Sequence, residues 1–148
     1  MTSDPGKKAL EYFDSSYNCA QSTFKAILEH KGLYFDKATQ VSSAFGGGIT
    51  HTGQQCGAIS GAIMAIGALV GRTESDVSEH KAATYRYASE FIDRFTEEFR
   101  KIRCDDLTGI NMSDEEALKE AIDKGHFRET CPKFVEKAVK MVLEMFPD

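Results

Sequence analysis

Apolar residues recur along this chain at the three- and four-residue spacing of amphipathic helices, and no segment shows the sustained alternation of a strand. The pattern predicts seven helices. They begin after Pro5 and continue as about Cys19–His30, Asp36 to Gly46, Cys56–Gly71, Thr73 or Ser75 to Arg103, Ser113–Lys124 and Cys131–Phe146. The sequence therefore predicts an all-α fold, a compact single-domain bundle of about six to seven helices over residues 1–148.

Residues suited to helix ends support several of these boundaries. Asn18 is a good N-cap for the second helix, and Pro132 suits the first turn of the last one. Ser113 followed by Glu116 has the form of a capping box. The three glycines at 46–48 must end the third helix, and we expect a loop there that carries the chain to Cys56.

The fourth predicted helix is apolar nearly all round and contains small residues at Gly57, Gly61, Ala65 and Ala68. Small residues let neighbouring backbones approach closely, so we place this helix, buried, at the centre of the bundle. A spanning helix needs about 20 apolar residues, which is longer than this run, and we expect no membrane span. The same small-residue surface is compatible with a homodimer.

Composition and charge narrow the classes of function. The chain has 148 residues, 41% hydrophobic and 28% charged, an ordinary globular balance. Its 18 basic and 23 acidic side chains give a net charge of −5 without a dense basic stripe, so we expect no nucleic-acid partner. The polar start, residues 1–8, has no apolar signal segment, which favours a cytoplasmic location.

The four cysteines are the strongest candidates for chemistry, because a chain of this length does not need disulfide staples. Cys19, Cys56, Cys104 and Cys131 form no C-x-x-C pair, so any joint site must be assembled by the fold. All but Cys104, which falls at a helix-to-turn junction, lie at predicted helix starts, where the helix dipole favours thiolate and lowers the thiol pKa. The alternative is that all four are small buried hydrophobes.

The segment Cys56-Gly57-Ala58-Ile59-Ser60-Gly61 reads C-G-A-x-x-G. Together with the other three cysteines, the Asn18-Cys19-Ala20-Gln21 segment, the preceding glycines and Cys131-Pro132, it resembles the C_GCAxxG_C_C family of redox-active proteins over nearly the whole chain.

The resemblance implies a redox function based on the four cysteines. Related domains attached to multihaem cytochromes are thought to hold an iron–sulfur centre, so the resemblance also implies cluster binding as a rival to dithiol chemistry. The chain has no C-x-x-C-H segment and should carry no covalent haem. Gly57 and Gly61, the candidate cofactor-binding residues, would let the helix start abut another backbone and expose amide N–H groups toward Cys56. The Cys56 sulfur would then be stabilised as a thiolate or as a bridging ligand, although packing alone also explains the two glycines.

Three functions remain open on the sequence. The first is thiol–disulfide exchange or electron transfer by Cys19, Cys56, Cys104 and Cys131, with Cys56 as the central sulfur and a redox protein or a small thiol or disulfide as partner. The second is a metal module in which the same four cysteines bind an iron–sulfur cluster or, less favoured, a zinc ion. The third is a helical interaction protein whose cysteines are inert.

Histidines and aspartates near the cysteines are secondary candidates. His51 in the glycine-rich loop could accept a proton or bind a metal, and His126 lies near Cys131 in the sequence. We place His80 on a solvated helix face. Asp105, next to Cys104, would raise the pKa of that thiol if it lay close.

Overall fold

The structure, a computed structural model, describes residues 3–148. These residues form ten α-helical segments and no strand, which confirms the all-α fold. The segments are α1 (Pro5–Asp14), α2 (Cys19–His30), α3 (Ala38–Val41), α4 (Gly46–Ile49), α5 (Gly57–Val70), α6 (Val77–Phe99), α7 (Cys104–Thr108), α8 (Glu115–Asp123), α9 (His126–Thr130) and α10 (Pro132–Met145). A 3-10 turn at Ser43–Phe45 joins α3 to α4.

Helix α5 forms the centre of the core, as its small residues predicted. Most of its residues are buried, among them Ile59, Ile66 and Leu69, and it packs against α2, α6 and α10. The other large core side chains come mainly from α6 and α10 and include Phe91, Phe95, Val135, Val139 and Val142. None of the described helices combines the length and the apolar character that a membrane span requires.

The helix ends that border the later site follow their predicted caps. The Asn18 side chain accepts a hydrogen bond from the Gln21 backbone N–H, and the Gln21 side chain accepts one from the Asn18 N–H, which makes a capping box at the start of α2. Cys131 caps α10 with Pro132 in the first turn. Cys19, the first residue of α2, and Cys131, at the start of α10, are therefore held at fixed positions on the core.

Three of the predicted helices had wrong boundaries. The third helix breaks into α3 and the 3-10 turn, and it starts after Lys37, which makes no capping side-chain hydrogen bond, instead of at Asp36. The long helix α6 begins after Asp76, whose side chain accepts from the Glu79 N–H, and stops at Phe99, since Arg100 adopts a positive φ of 70°. Helix α8 is capped by Asp114 instead of Ser113.

A left-handed turn replaces the loop expected after the three glycines. Five consecutive residues, 47–51, have φ between 56° and 68°. Glycine adopts this conformation freely, whereas each non-glycine residue in it costs of order 1 kcal/mol or more. The turn is held by hydrogen bonds from the Gly53 N–H to Gly47 O, 3.2 Å, and from the Gln54 N–H to Gly48 O, 2.9 Å.

A short antiparallel pairing joins two segments that are far apart in sequence. Gln55 bridges to Arg103; the Cys56 N–H donates to Ile102 O at 2.8 Å, and the Cys104 N–H donates to Gln54 O at 2.5 Å. The pairing sets the start of α5 beside the start of α7. It therefore brings Cys56 and Cys104 to adjacent positions.

The close approach of α5 to α2 makes a matched pair of glycine substitutions informative. A Cβ at Gly61 would lie 2.5 Å from Ala20 O, whereas the nearest atom to a Cβ at Gly67 is 3.9 Å away. We expect Gly61→Ala to lower the free energy of unfolding by about 1–3 kcal/mol through overpacking. Gly67→Ala, in the same helix, should be neutral or stabilising by up to about 1 kcal/mol.

Urea unfolding of both variants measures the difference. Equal stability of the two variants would show that α2 and α5 are not in backbone contact at Gly61.

Candidate functional site

Cys19, the first residue of α2, lies where α2 meets the start of α5. A Cβ at Gly57 would collide with the Cys19 sulfur, so the sulfur occupies the space that glycine leaves open. The backbone N–H groups of Gly47, Ala20, Gly57 and Cys19 itself act to lower the pKa of this thiol. Amide donors on a sulfur stabilise its thiolate form, or its form as a metal ligand.

Cys56 and Cys104 lie on the two paired segments and are both buried, with 6% and 7% of their surfaces exposed. Room for Cys104 depends on Gly48, where a Cβ would lie 2.6 Å from the Cys104 Cβ. Gly48 also has a φ of 67°, which a side chain would disfavour. The glycine-rich turn thus admits Cys104 to the site.

Cys131 enters the site from the opposite end of the chain. It is the residue between α9 and α10, and its N–H donates to Phe127 O at 2.9 Å. Its side chain is half-buried, as is that of Cys19. All four cysteines are free thiols in this structure.

A cavity of about 150 Å³ opens between these elements. Three of the cysteines, Cys19, Cys104 and Cys131, line it, while Cys56 lies buried outside its lining. The remaining lining residues are mostly apolar: Phe13, Asn18, Gly47, His51, Met112, Ile122 and Phe127. No carboxylate, ammonium or guanidinium group occurs among these lining residues.

Charge coupling links both Cys19 and Cys104 to each of the other three thiols. An ionised Cys19 would raise the pKa of each of the other three thiols, and Cys104 does the same to Cys56 and Cys131. Such coupling requires the sulfurs to be close together. The hypothesis that Cys56 is the central sulfur stays a prediction; the thiol of Cys56 couples to those of Cys19 and Cys104.

Burial decides the acidity of the thiols, against the sequence expectation that helix ends would lower their pKa values. Burial raises the pKa of Cys104 and of Cys131 to about 12 and raises that of Cys56 well above its usual value. Burial also raises the pKa of Cys19, and the surrounding amide groups oppose that rise. Asp105 adds to the rise at Cys104, as its position in the sequence indicated.

The other residues singled out in the sequence divide into those at the site and those away from it. Gly57 and Gly61 both make close backbone contacts with α2, but only Gly57 touches a cysteine sulfur. His51 lines the cavity. His126 does not; its Nε2 contacts Thr108 O at 2.7 Å. The interpretation of His80 was wrong, because it is half-buried and its Nε2 contacts Gly67 O at 2.8 Å.

The donor types at the site, thiols and backbone N–H groups, are those that soft metals and iron–sulfur centres take. Within residues 3–148, however, no group of three or more His, Cys, Asp or Glu side chains is already arranged to hold a metal ion. Binding of an iron–sulfur cluster or a zinc ion by Cys19, Cys56, Cys104 and Cys131 therefore stays a prediction.

A protein-family model matches residues 17–145 and carries the description "Putative redox-active protein (C_GCAxxG_C_C)". The chain belongs to this family. The matched region contains all four cysteines and the entire cavity lining except Phe13. Searches of curated proteins and of solved structures give no match.

Several features of the site were not predicted from the sequence. The bridge between Gln55 and Arg103 joins segments without strand periodicity, so no local pattern indicates it. Met112 and Phe127 follow turn residues, and nothing nearby marks them as cavity lining. The N-cap at Asn18 could be predicted from the sequence, and so could the position of Cys19 at the start of α2.

The raised pKa of Cys104 predicts a loss of stability at alkaline pH. Below about pH 9 the thiol is protonated in both states; above it the unfolded chain ionises while the folded chain keeps the proton up to about pH 12. The free energy of unfolding should therefore fall as pH rises, by at most about 1.4 kcal/mol per pH unit from this one thiol.

Denaturant unfolding of the reduced protein at pH 8, 9 and 10 measures this slope. The control is Cys104→Ala. In this variant the free energy of unfolding should fall less steeply with pH, by up to about 1.4 kcal/mol per pH unit, even if the variant is less stable than the unsubstituted protein at pH 8. An unchanged slope in the variant would contradict the burial of this thiol.

Proposed function

We propose that the four cysteines form one redox centre that stores two electrons as a pair of thiols and releases them by forming a disulfide. The observation that supports this most directly is the position of Cys19, coupled to the other three thiols and open to a cavity that Cys104 and Cys131 also line. Any of its neighbours can supply the second sulfur of a disulfide.

Cys19 is the attacking sulfur in this proposal. It is half-buried at the cavity, unlike Cys56, and the amides of Gly47 and Gly57 stabilise its negative charge. Thiolate is the form that attacks disulfides, and a sulfur with several amide donors is the one of the four best able to hold it. His51, in the same lining, is positioned to receive the proton.

The exchange balances as two successive displacements. The Cys19 thiolate attacks one sulfur of an oxidised disulfide, forms a mixed disulfide and releases the first thiolate, which takes up a proton. A second cysteine of the group then loses its proton and attacks the Cys19 sulfur, which closes the protein disulfide and releases the second thiol. The protein loses two electrons and two protons, and the partner disulfide gains them.

Reversible loss of two thiols tests this function. The metal-free reduced protein is equilibrated in dithiothreitol buffers of increasing oxidised fraction, quenched with an alkylating reagent and analysed by mass spectrometry. We expect two of the four thiols to disappear together in the native protein and to return on reduction. In Cys19→Ser, the three remaining thiols should stay reduced at potentials that oxidise two thiols of the unsubstituted protein.

Cys19→Ala is a second variant that separates loss of the sulfur from the effect of a buried hydroxyl. Identical titration curves for the unsubstituted and both Cys19 proteins would rule out this site as the redox centre. Four thiols that stay unreactive in all three would favour the helical interaction protein with inert cysteines.

An iron–sulfur centre is the second candidate, and one observation favours it. The amides of Gly47 and Gly57 lie at a sulfur that has no lysine or arginine side chain among the cavity lining to stabilise its charge. Hydrogen bonds to sulfur tune such clusters, and a bound cation would offset the unfavourable charge of four neighbouring thiolates. Cys19, Cys56, Cys104 and Cys131 would hold the group, which when bound supplies one-electron transfer.

Iron and acid-labile sulfide in protein purified without oxygen decide between the candidates. The cluster hypothesis predicts both in near-equal amounts, with visible absorption that is lost in Cys56→Ser. Colourless protein free of iron, with two thiols that titrate reversibly, supports the dithiol function. One zinc ion per chain without acid-labile sulfide would show instead that the protein binds zinc.

A further inference from the structure

The cavity at the cysteines is small and lacks charged groups in its lining, and these two properties restrict what can reach the sulfurs. Its volume of about 150 Å³ matches that of an engineered apolar cavity that holds benzene. Phe13, Met112, Ile122 and Phe127 are the large apolar side chains in its walls. The only side chains in the lining with polar groups besides the thiols are Asn18 and His51.

We propose that the substrates of this centre are small uncharged disulfides and their thiols, with side groups of a few carbon atoms. The inference rests on the proposed dithiol function and adds the substrate class to it. A molecule the size of diethyl disulfide places its S–S bond beside Cys19 within the walls, whereas a peptide disulfide carrying several charges does not fit the same volume.

Desolvation supplies the discrimination against charge. An ionised carboxylate or ammonium moved into an apolar cavity loses its hydration, and here no ion of opposite sign in the lining replaces it. An anionic substrate is further disfavoured because it approaches a thiolate. The amides near Cys19 are already directed to its own sulfur and do not compensate a second anion.

The reaction is the thiol–disulfide exchange described under the proposed function, and the partner is a small dialkyl disulfide. One equivalent of a dialkyl disulfide is reduced to two alkyl thiols, each receiving one of the two protons, while two cysteine thiols become one disulfide. A dithiol of the same small neutral class returns the two electrons and two protons.

The test compares oxidation rates of the reduced protein by disulfides of similar reactivity and different charge. Bis(2-hydroxyethyl) disulfide is the neutral probe, cystamine the cationic one, and dithiodiglycolate the anionic one, each corrected by its rate with a free small thiol. We expect the neutral probe to react about tenfold or more faster than either charged probe.

Ile122→Lys provides the matched variant. Ile122 lines the cavity with 55% of its surface exposed, so a lysine there places a cation at the mouth without filling the core. Oxidation by dithiodiglycolate should then accelerate several-fold relative to the neutral probe. Val77→Lys, on an exposed helix residue outside the cavity lining, adds the same charge and should leave the ratio unchanged.

Each outcome separates the inference from the function on which it rests. Equal corrected rates for the three probes, or the same ratio in Ile122→Lys as in the unsubstituted protein, would overturn the substrate class while the dithiol function stands. Absence of oxidation by any of the probes would overturn both.

Discussion

The absence of a side chain at a few glycines is the constraint on which the site depends. Gly57 leaves the space that the Cys19 sulfur occupies, and Gly48 leaves the space for Cys104. Gly61 lets α5 press against the α2 backbone one turn further along. With larger residues at these positions α2, α5 and the glycine-rich turn would stand further apart, and the sulfurs with them.

Burial and hydrogen bonding act on the thiols in opposite directions. Removing the sulfurs from water favours the neutral thiol and raises the pKa values of all four cysteines. Amide donors favour the anion, and they oppose the rise in pKa at Cys19 and at Cys56. Burial therefore favours the protonated thiols, and the amides near Cys19 oppose this at one of the three sulfurs that line the cavity.

The helical fold could be predicted from the sequence because its signals are local. Apolar periodicity placed α5 and α6, and the caps at Asn18 and Pro132 placed the starts of α2 and α10. The four candidate cysteines could be predicted from the C-G-A-x-x-G segment together with the other three cysteines. Which cysteines lie close together could not be predicted, because that depends on the pairing of Gln55 with Arg103 and on a left-handed turn, and no periodicity encodes these contacts.

The central claim is that four cysteines distant in sequence meet around Cys19. Peptide mapping of the gently oxidised, metal-free monomer tests it most directly, because a disulfide joins only sulfurs that can approach each other. The account predicts an intramolecular bond that links Cys19 to another of the four cysteines. A protein that forms only intermolecular disulfides, or an intramolecular bond that excludes Cys19 while its thiol stays free, would contradict it.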